Sequence, residues 1–455
     1  MALTGRAALL ALLGVFVVLF APRPGLAMAG TALLLTALIA VDLLLAAGVR
    51  PLRFSRAGDR LVRLGETATV ELIVENPGSR RARGVLRDAW SPSAGAAPRH
   101  LTLDVPPGER RRLVTTLTPT RRGDREAVTV TVRTLGPLGV AARQGSHRVP
   151  WSVRVLPPFL SRKHLPAKLS RLRELEGRHP SMIRGQGTEF DSLREYVVGD
   201  DVRSIDWRAT ARRNDVVVRT WRPERDRRVL IVLDTGRTSA GRVGTAPVPL
   251  AGETARKRDV YGATAIAPGW PRLDWSMDAA LLLAALAARA GDRVDFLAHD
   301  RSVRAWVSGA SRTDLLSTLV NTMAPIEAEL IEADSAGMVA AVLARAKRRC
   351  LVVVLTDLNS ASLEEGLLPV LPQLSSRHLV LLAAVSDPQV AAMEAGRGTS
   401  ELVYNAAAAE RQSAERRRIT ARLRRHGVEV VDAAPEQIAP ALADAYLALK
   451  AAGRL

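Results

Sequence analysis

Two apolar runs open the chain, and no other feature constrains its fold as strongly. Ala7 to Ala21 is unbroken by charge, and after Pro22-Arg23-Pro24 a second run extends from Gly25 to Gly48 with Asp42 as its single charged residue. A bilayer core of ~30 Å needs about 20 apolar helical residues. The second run meets that length, and the first meets it if Ala2 and Leu3 join it. Two prolines within three residues interrupt a helix, because each removes a donor and crowds the preceding turn. The pattern therefore predicts a transmembrane helical hairpin over residues 1–52, with helices at about 4–21 and 25–48. The competing pattern is a cleaved signal peptide with Arg6 as its basic start and Ala27-Met28-Ala29 as its cleavage site. Cleavage there would leave the apolar stretch Gly30 to Gly48 at the new terminus, which suits no exported soluble protein.

Orientation follows from basic residues. Arg6 precedes the hairpin, Arg50, Arg53 and Arg56 follow it, and Arg23 alone lies in the turn. The positive-inside rule then puts both ends, and all that follows, in the cytoplasm. The expected location is the inner membrane, crossed twice. The lone Cys350 agrees, since one cysteine builds no internal disulfide framework. Asp42 lies within two turns of the expected cytoplasmic end, where it can snorkel or meet Arg50.

The soluble remainder is long enough for two cores. Its balance of 65 Lys and Arg against 46 Asp and Glu gives +19. Such a charge suits nucleic acid, anionic lipid or an acidic protein. At a cytoplasmic leaflet membrane lipid is the simplest partner, and no nucleic acid is expected.

Between residues 53 and 157 short alternating runs, such as Thr67 to Glu75, Arg112 to Leu117 and Ala127 to Val132, read as antiparallel strands. Asn76-Pro77-Gly78 and Pro106-Pro107-Gly108 supply turns. A small β-sandwich fits. From Arg228 onward the rhythm changes to continuous apolar runs at Val229–Leu233, Val294–Leu297, Leu351–Leu355, Leu379–Val385 and Val428–Val431. Helical patterns at Met277–Ala290, Gly337–Lys347 and Ile438–Ala451 separate some of them, which predicts a doubly wound α/β sheet over residues 228–455.

In such a sheet ligands bind beyond the carboxyl ends of the strands. Asp234 and Asp357 end two of the expected strands, and Asp234-Thr235-Gly236-Arg237-Thr238-Ser239 offers a carboxylate and hydroxyls to a hard cation. The stretch from Ser239 to Trp275 reads as a long insertion at this rim.

These residues carry a resemblance. The third section resembles a von Willebrand factor A domain, whose metal-ion-dependent adhesion site uses an Asp-x-Ser-x-Ser loop and a later Asp. Gly187 to Tyr196, with Gly199 to Arg212, resembles the signature of the DUF58 family, and Thr134-Leu135-Gly136-Pro137-Leu138-Gly139 also matches. The resemblance marks residues 158–227 as the DUF58 signature connector. It implies Mg²⁺ or Mn²⁺ held by Asp234, Thr238 and Asp357, with Gly236 in place of the first Ser and no threonine near Asp334-Ser335. It also implies a MoxR-type AAA+ ATPase as partner in the assembly or maturation of other proteins.

Within the connector Asp200, Asp201 and Asp206 interleave with Arg203, Arg208, Arg212, Arg213 and Arg219, beside Trp207 and Trp221. That pattern reads either as an internal ion-pair network or as a docking surface on Asp200, Asp201, Asp206, Trp207 and Arg208. No phosphate loop, His-Glu-x-x-His or Gly-x-Ser-x-Gly occurs, and Gly185-x-Gly187 is too short for a nucleotide loop. The expectation is a membrane-anchored, non-enzymatic adaptor. The alternatives are a metal-dependent hydrolase and a basic nucleic-acid-binding membrane protein.

Overall fold

The computed structural model describes residues 1–178, 189–197, 205–213, 215–222, 227–245 and 268–455. Two compact units emerge, one built on Met1–Pro158 and one on Phe159–Gly244, Trp270–Thr322 and Glu327–Leu455.

The first unit begins with helices Gly5–Phe20 and Pro24–Leu45, which pack on each other. Pro24 starts the second helix, where its missing N–H costs nothing. That helix has 22 residues, a mean hydropathy of 2.2 and an almost wholly exposed surface, so it is long and apolar enough to cross a membrane. The first helix is shorter, at 16 residues. Behind them stand two sheets. Arg53–Gly58, Ala68–Glu75, Arg110–Leu117 and Ala96–Ala97 form one. The other is centred on Gly123–Leu135, which pairs with Ala82–Trp90, Ala141–His147 and Ser152–Leu156. Alternation decides the faces, because successive strand residues point to opposite sides. Leu72 and Val74 of one sheet meet Leu86, Leu103, Val130 and Val132 of the other in a single buried cluster. The pairing is antiparallel except that Leu61–Arg63 runs parallel to Ser152–Leu156.

Asp42 neither snorkels nor pairs with Arg50 through any contact the structure shows. Its fully buried carboxylate accepts the backbone N–H groups of Leu138, Val140 and Ala141 at 2.8, 2.7 and 2.7 Å. The turn joining Gly123–Leu135 to Ala141–His147 thus folds around the last turns of the helix. Arg143 donates to the Leu43 carbonyl at 2.8 Å, Arg80 donates to that of Leu44, and the Thr134 hydroxyl donates to that of Ala47 at 2.7 Å. Carbonyls that a helix end leaves unpaired are thereby satisfied. The N-terminus joins the same place: Ala2 and Leu3 pair with Ala142 and Ala141, and the Thr4 hydroxyl donates to the Gly139 carbonyl at 2.6 Å.

The second unit carries a six-stranded sheet. Numbered by chain position, its strands Arg228–Asp234, Arg293–His299, Val303–Val307, Leu351–Leu355, Leu379–Val385 and Glu429–Ala433 lie in the order 3-2-1-4-5-6. All are parallel except the edge strand Val303–Val307, a five-residue strand absent from the sequence reading. Leu230, Val232, Val352, Val354, Val380 and Leu382 pack with Met338, Val339, Val342, Ile419 and Leu423 on one face. The alternate residues of these strands are equally buried, and Arg272–Arg289 and Pro435–Ala451 pack on that sheet and on each other. Burial on both faces is what the unbroken Val and Leu runs demanded.

Two boundaries differ from expectation. The Arg272–Arg289 helix starts five residues before Met277, because Leu273, Trp275 and Met277 are all buried and extend its core face. The helix takes the last four residues of the expected insertion, Arg272 to Trp275, and residues 246–267 of it lie outside the described residues. The long helix Ser400–Arg425 has no counterpart in the sequence reading. Its alanine and arginine content favours helix, but it buries few apolar residues, so hydrophobic periodicity does not reveal it.

Candidate functional site

The strand order places a topological switch point between Arg228–Asp234 and Leu351–Leu355. From the first strand the chain moves outward to one side, and it later returns to fill the other. Connections leave these two neighbours in opposite directions, and a crevice opens beyond their carboxyl ends. Asp234 ends the first strand, and Thr356 and Asp357 follow the second.

Asp234 is buried and fully engaged. Its Oδ1 accepts the Gly236 N–H at 2.8 Å, and its Oδ2 accepts the hydroxyls of Thr238 at 3.2 Å and Thr356 at 2.6 Å. Burial pushes its pKa up, while the hydrogen bonds from Thr356, Gly236 and Thr238 pull it back down. The loop closes on itself as the Ser239 hydroxyl donates to the Asp234 carbonyl at 2.7 Å. Asp234, His299, Asp334, Ser335, Thr356 and Ser362 contribute the polar lining of a cavity of about 20 Å³, room for about one water. Burial depresses the pKa of His299. Gly236 has a steric cause: a Cβ there would meet the Ala333 Cβ and the Ile331 carbonyl oxygen at 3.1 Å. A serine here, which the resemblance leads one to expect, would press on both neighbours and require them to shift by a few tenths of an ångström.

Asp357 stands in a different environment. Its Oδ1 is 2.8 Å from Nη1 of Arg416 and 3.6 Å from Nε of Arg272. Arg416 also holds Asp432 through Nε at 3.1 Å and Nη2 at 2.7 Å, a two-point grip across from the end of the sheet. Burial works against the charge of Arg416. Hydrogen bonds and charges from Asp432 and Asp357 outweigh that cost and hold its pKa above the ordinary value. Sequence reasoning missed Thr356, Arg272 and Arg416. Thr356 was legible as the residue before Asp357, whereas the arginines arrive from helices far away in the chain.

A divalent cation bridging Asp234 and Asp357 would need both carboxylates free to face it. Asp234 accepts from Gly236 and from two hydroxyls, one of them that of the expected ligand Thr238, whereas Asp357 faces two guanidinium groups and is not free. The donor set does not fit the site implied by the resemblance.

In the signature segment, Asp200, Asp201 and Arg203 lie outside the described residues, as does the Gly185-Gln186-Gly187 loop. Asp206 caps the short helix Trp207–Arg213, accepting the N–H groups of Arg208 at 3.0 Å and Ala209 at 3.1 Å. The helix sits against the strand Val217–Arg222, which pairs with Glu189–Glu195, and the Val217 N–H donates to the Thr210 hydroxyl at 3.1 Å. Trp207 is 68% exposed, Val197 60% and Val216 40%. Arg208 is exposed as well.

These features define a protein with an apolar N-terminal helix, a two-sheet unit and a doubly wound α/β unit with its rim at the switch point. The chain belongs to the DUF58 family, described as a protein of unknown function, whose model matches residues 192–267 and 271–429, more than half of the chain. No curated protein matches it. Among solved structures, the CARDB domain of the PF1109 protein from Pyrococcus furiosus is similar over 23% of this chain and 91% of that chain, at 18% identity and a TM-score of 0.17. A beta-glucosidase from Listeria innocua is similar over 23% of this chain and 16% of that chain, at 14% identity and a TM-score of 0.16. Likeness at that level bears on neither fold nor function.

Proposed function

We propose that this chain is a membrane-anchored adaptor that binds protein partners through its C-terminal α/β unit and catalyses no reaction itself. In this reading the two N-terminal helices cross the inner membrane as a hairpin, the α/β unit is von Willebrand factor A-like and cytoplasmic, and the partner is a MoxR-type AAA+ ATPase. The basic residues on either side of the helices support the orientation, and the choice of partner rests on the resemblance stated above. One observation carries the binding surface. Trp207 stands exposed on a helix whose start is fixed by Asp206, and Val197 and Val216 are exposed in the same segment of the chain. A rigid, solvent-facing tryptophan with an adjacent arginine is the composition of an interface anchor. Asp206, Trp207 and Arg208 are the contact residues of this proposal. The test is affinity purification of the intact chain from solubilised membranes, which should recover the ATPase with the wild type and lose it with Trp207→Ala.

A further inference from the structure

We infer that the rim beside Asp357 is organised by a resident guanidinium, Arg416, in the position where the resemblance implies a divalent cation, so that this part of the site works without metal. Three observations carry it. Arg416 contacts Asp357 through one nitrogen and Asp432 through two, at 2.7 to 3.1 Å. Its side chain is 13% exposed and that of Asp357 9%, so the pair is shielded from water and from salt. Arg272, 17% exposed, adds a second positive group 3.6 Å from the same Asp357 oxygen and is itself fixed by donating to the Val385 carbonyl at 3.2 Å. Two carboxylates and two guanidinium groups leave the cluster formally neutral. A divalent cation entering at Asp357 would face two positive charges and would have to displace the Arg416 Nη1 contact while Asp432 holds that guanidinium in place by two further hydrogen bonds.

Arg416 also ties a helix and the strand that follows it to a loop 59 residues earlier in the chain. It rises from the Ser400–Arg425 helix, and its partners follow the Leu351–Leu355 strand and lie on the edge strand Glu429–Ala433. It is a positioning residue that sets the loop after Leu355 by charge, as a bound metal would, and cannot dissociate. For partner binding, the consequence rests on the adaptor reading: recovery of the partner is insensitive to chelation.

The experiment is a Mn²⁺ titration of the full chain in detergent, read by electron paramagnetic resonance, on the wild type and Asp357→Asn. The expected result is no saturable binding in the millimolar range or below that differs between the two. Saturable binding by the wild type that Asp357→Asn abolishes overturns the inference. A second arm uses Arg416→Gln, which leaves the buried Asp357 facing Arg272 alone and takes from Asp432 its two-point partner. Its melting temperature should fall on the order of 10 °C, and an unchanged melting temperature would also overturn the inference. Neither arm requires a partner, so failure to recover an ATPase would sink the adaptor reading and leave this one standing.

Discussion

The Asp42 carboxylate and the backbone of Gly136 are so close that a Cβ at position 136 would lie 2.1 Å from Oδ1. The glycine is there because a carboxylate from the apolar helix fills the space a side chain would need. Gly136→Ala must push the carboxylate away from the Leu138, Val140 and Ala141 N–H groups it accepts. Asp42→Ala removes the acceptor outright and leaves buried donors unpaired. Each variant should lose about 3 kcal/mol or more of stability, measured by thermal unfolding of the detergent-purified chain. Wild-type stability in both would show that the turn does not depend on this clamp.

Thr356→Val is nearly isosteric and deletes the 2.6 Å hydrogen bond to the buried Asp234. The carboxylate then keeps only Gly236 and Thr238 as donors. A loss of about 2 kcal/mol is expected, and urea unfolding of the variant beside the wild type reads it directly.

Asp278 lies on the Arg272–Arg289 helix, and burial pushes its pKa up to about 6, against hydrogen bonds from the Ser161 N–H and hydroxyl at 3.1 Å. A carboxyl with a raised native pKa stabilises the fold most below its unfolded value. That contribution is lost as pH rises from about 4 to about 6. The stability difference between wild type and Asp278→Asn should therefore shift toward the wild type on acidification across this window, by at most about 3 kcal/mol. Melting curves of both at pH 4.5 and pH 7 would reveal the shift, and a pH-independent difference would refute it.

Trp207→Ala should abolish partner recovery while changing stability by less than about 0.5 kcal/mol, since an exposed side chain outside the core contributes little to folding. A large stability loss would reassign Trp207 to packing. Undiminished recovery would remove it from the interface.

Gly236→Ser restores the residue that an adhesion-site loop would carry, yet it should create no metal affinity. The added side chain meets Ala333 and the Ile331 carbonyl at 3.1 Å, and it leaves Asp357 paired with Arg416. Manganese titration of this variant should match the wild type.

The sequence by itself determined the features that depend on local period and composition. Unbroken apolar runs specify the Pro24–Leu45 helix and the doubly buried strands, and alternation specifies the sheets of the first unit. Strand-end position alone brought Asp234 and Asp357 to the switch point, because a parallel sheet places such residues along one edge. Tertiary structure decided what those carboxylates do. Asp42 was an isolated charge in an apolar run until the turn after Leu135 closed around it. Asp357 was a candidate ligand until Arg416 and Arg272, 59 and 85 residues away in the chain, arrived to neutralise it. The physical reason is the same in both cases. A buried carboxylate takes its role from the donors and charges around it, and those are set by long-range packing that leaves no periodic trace in the chain.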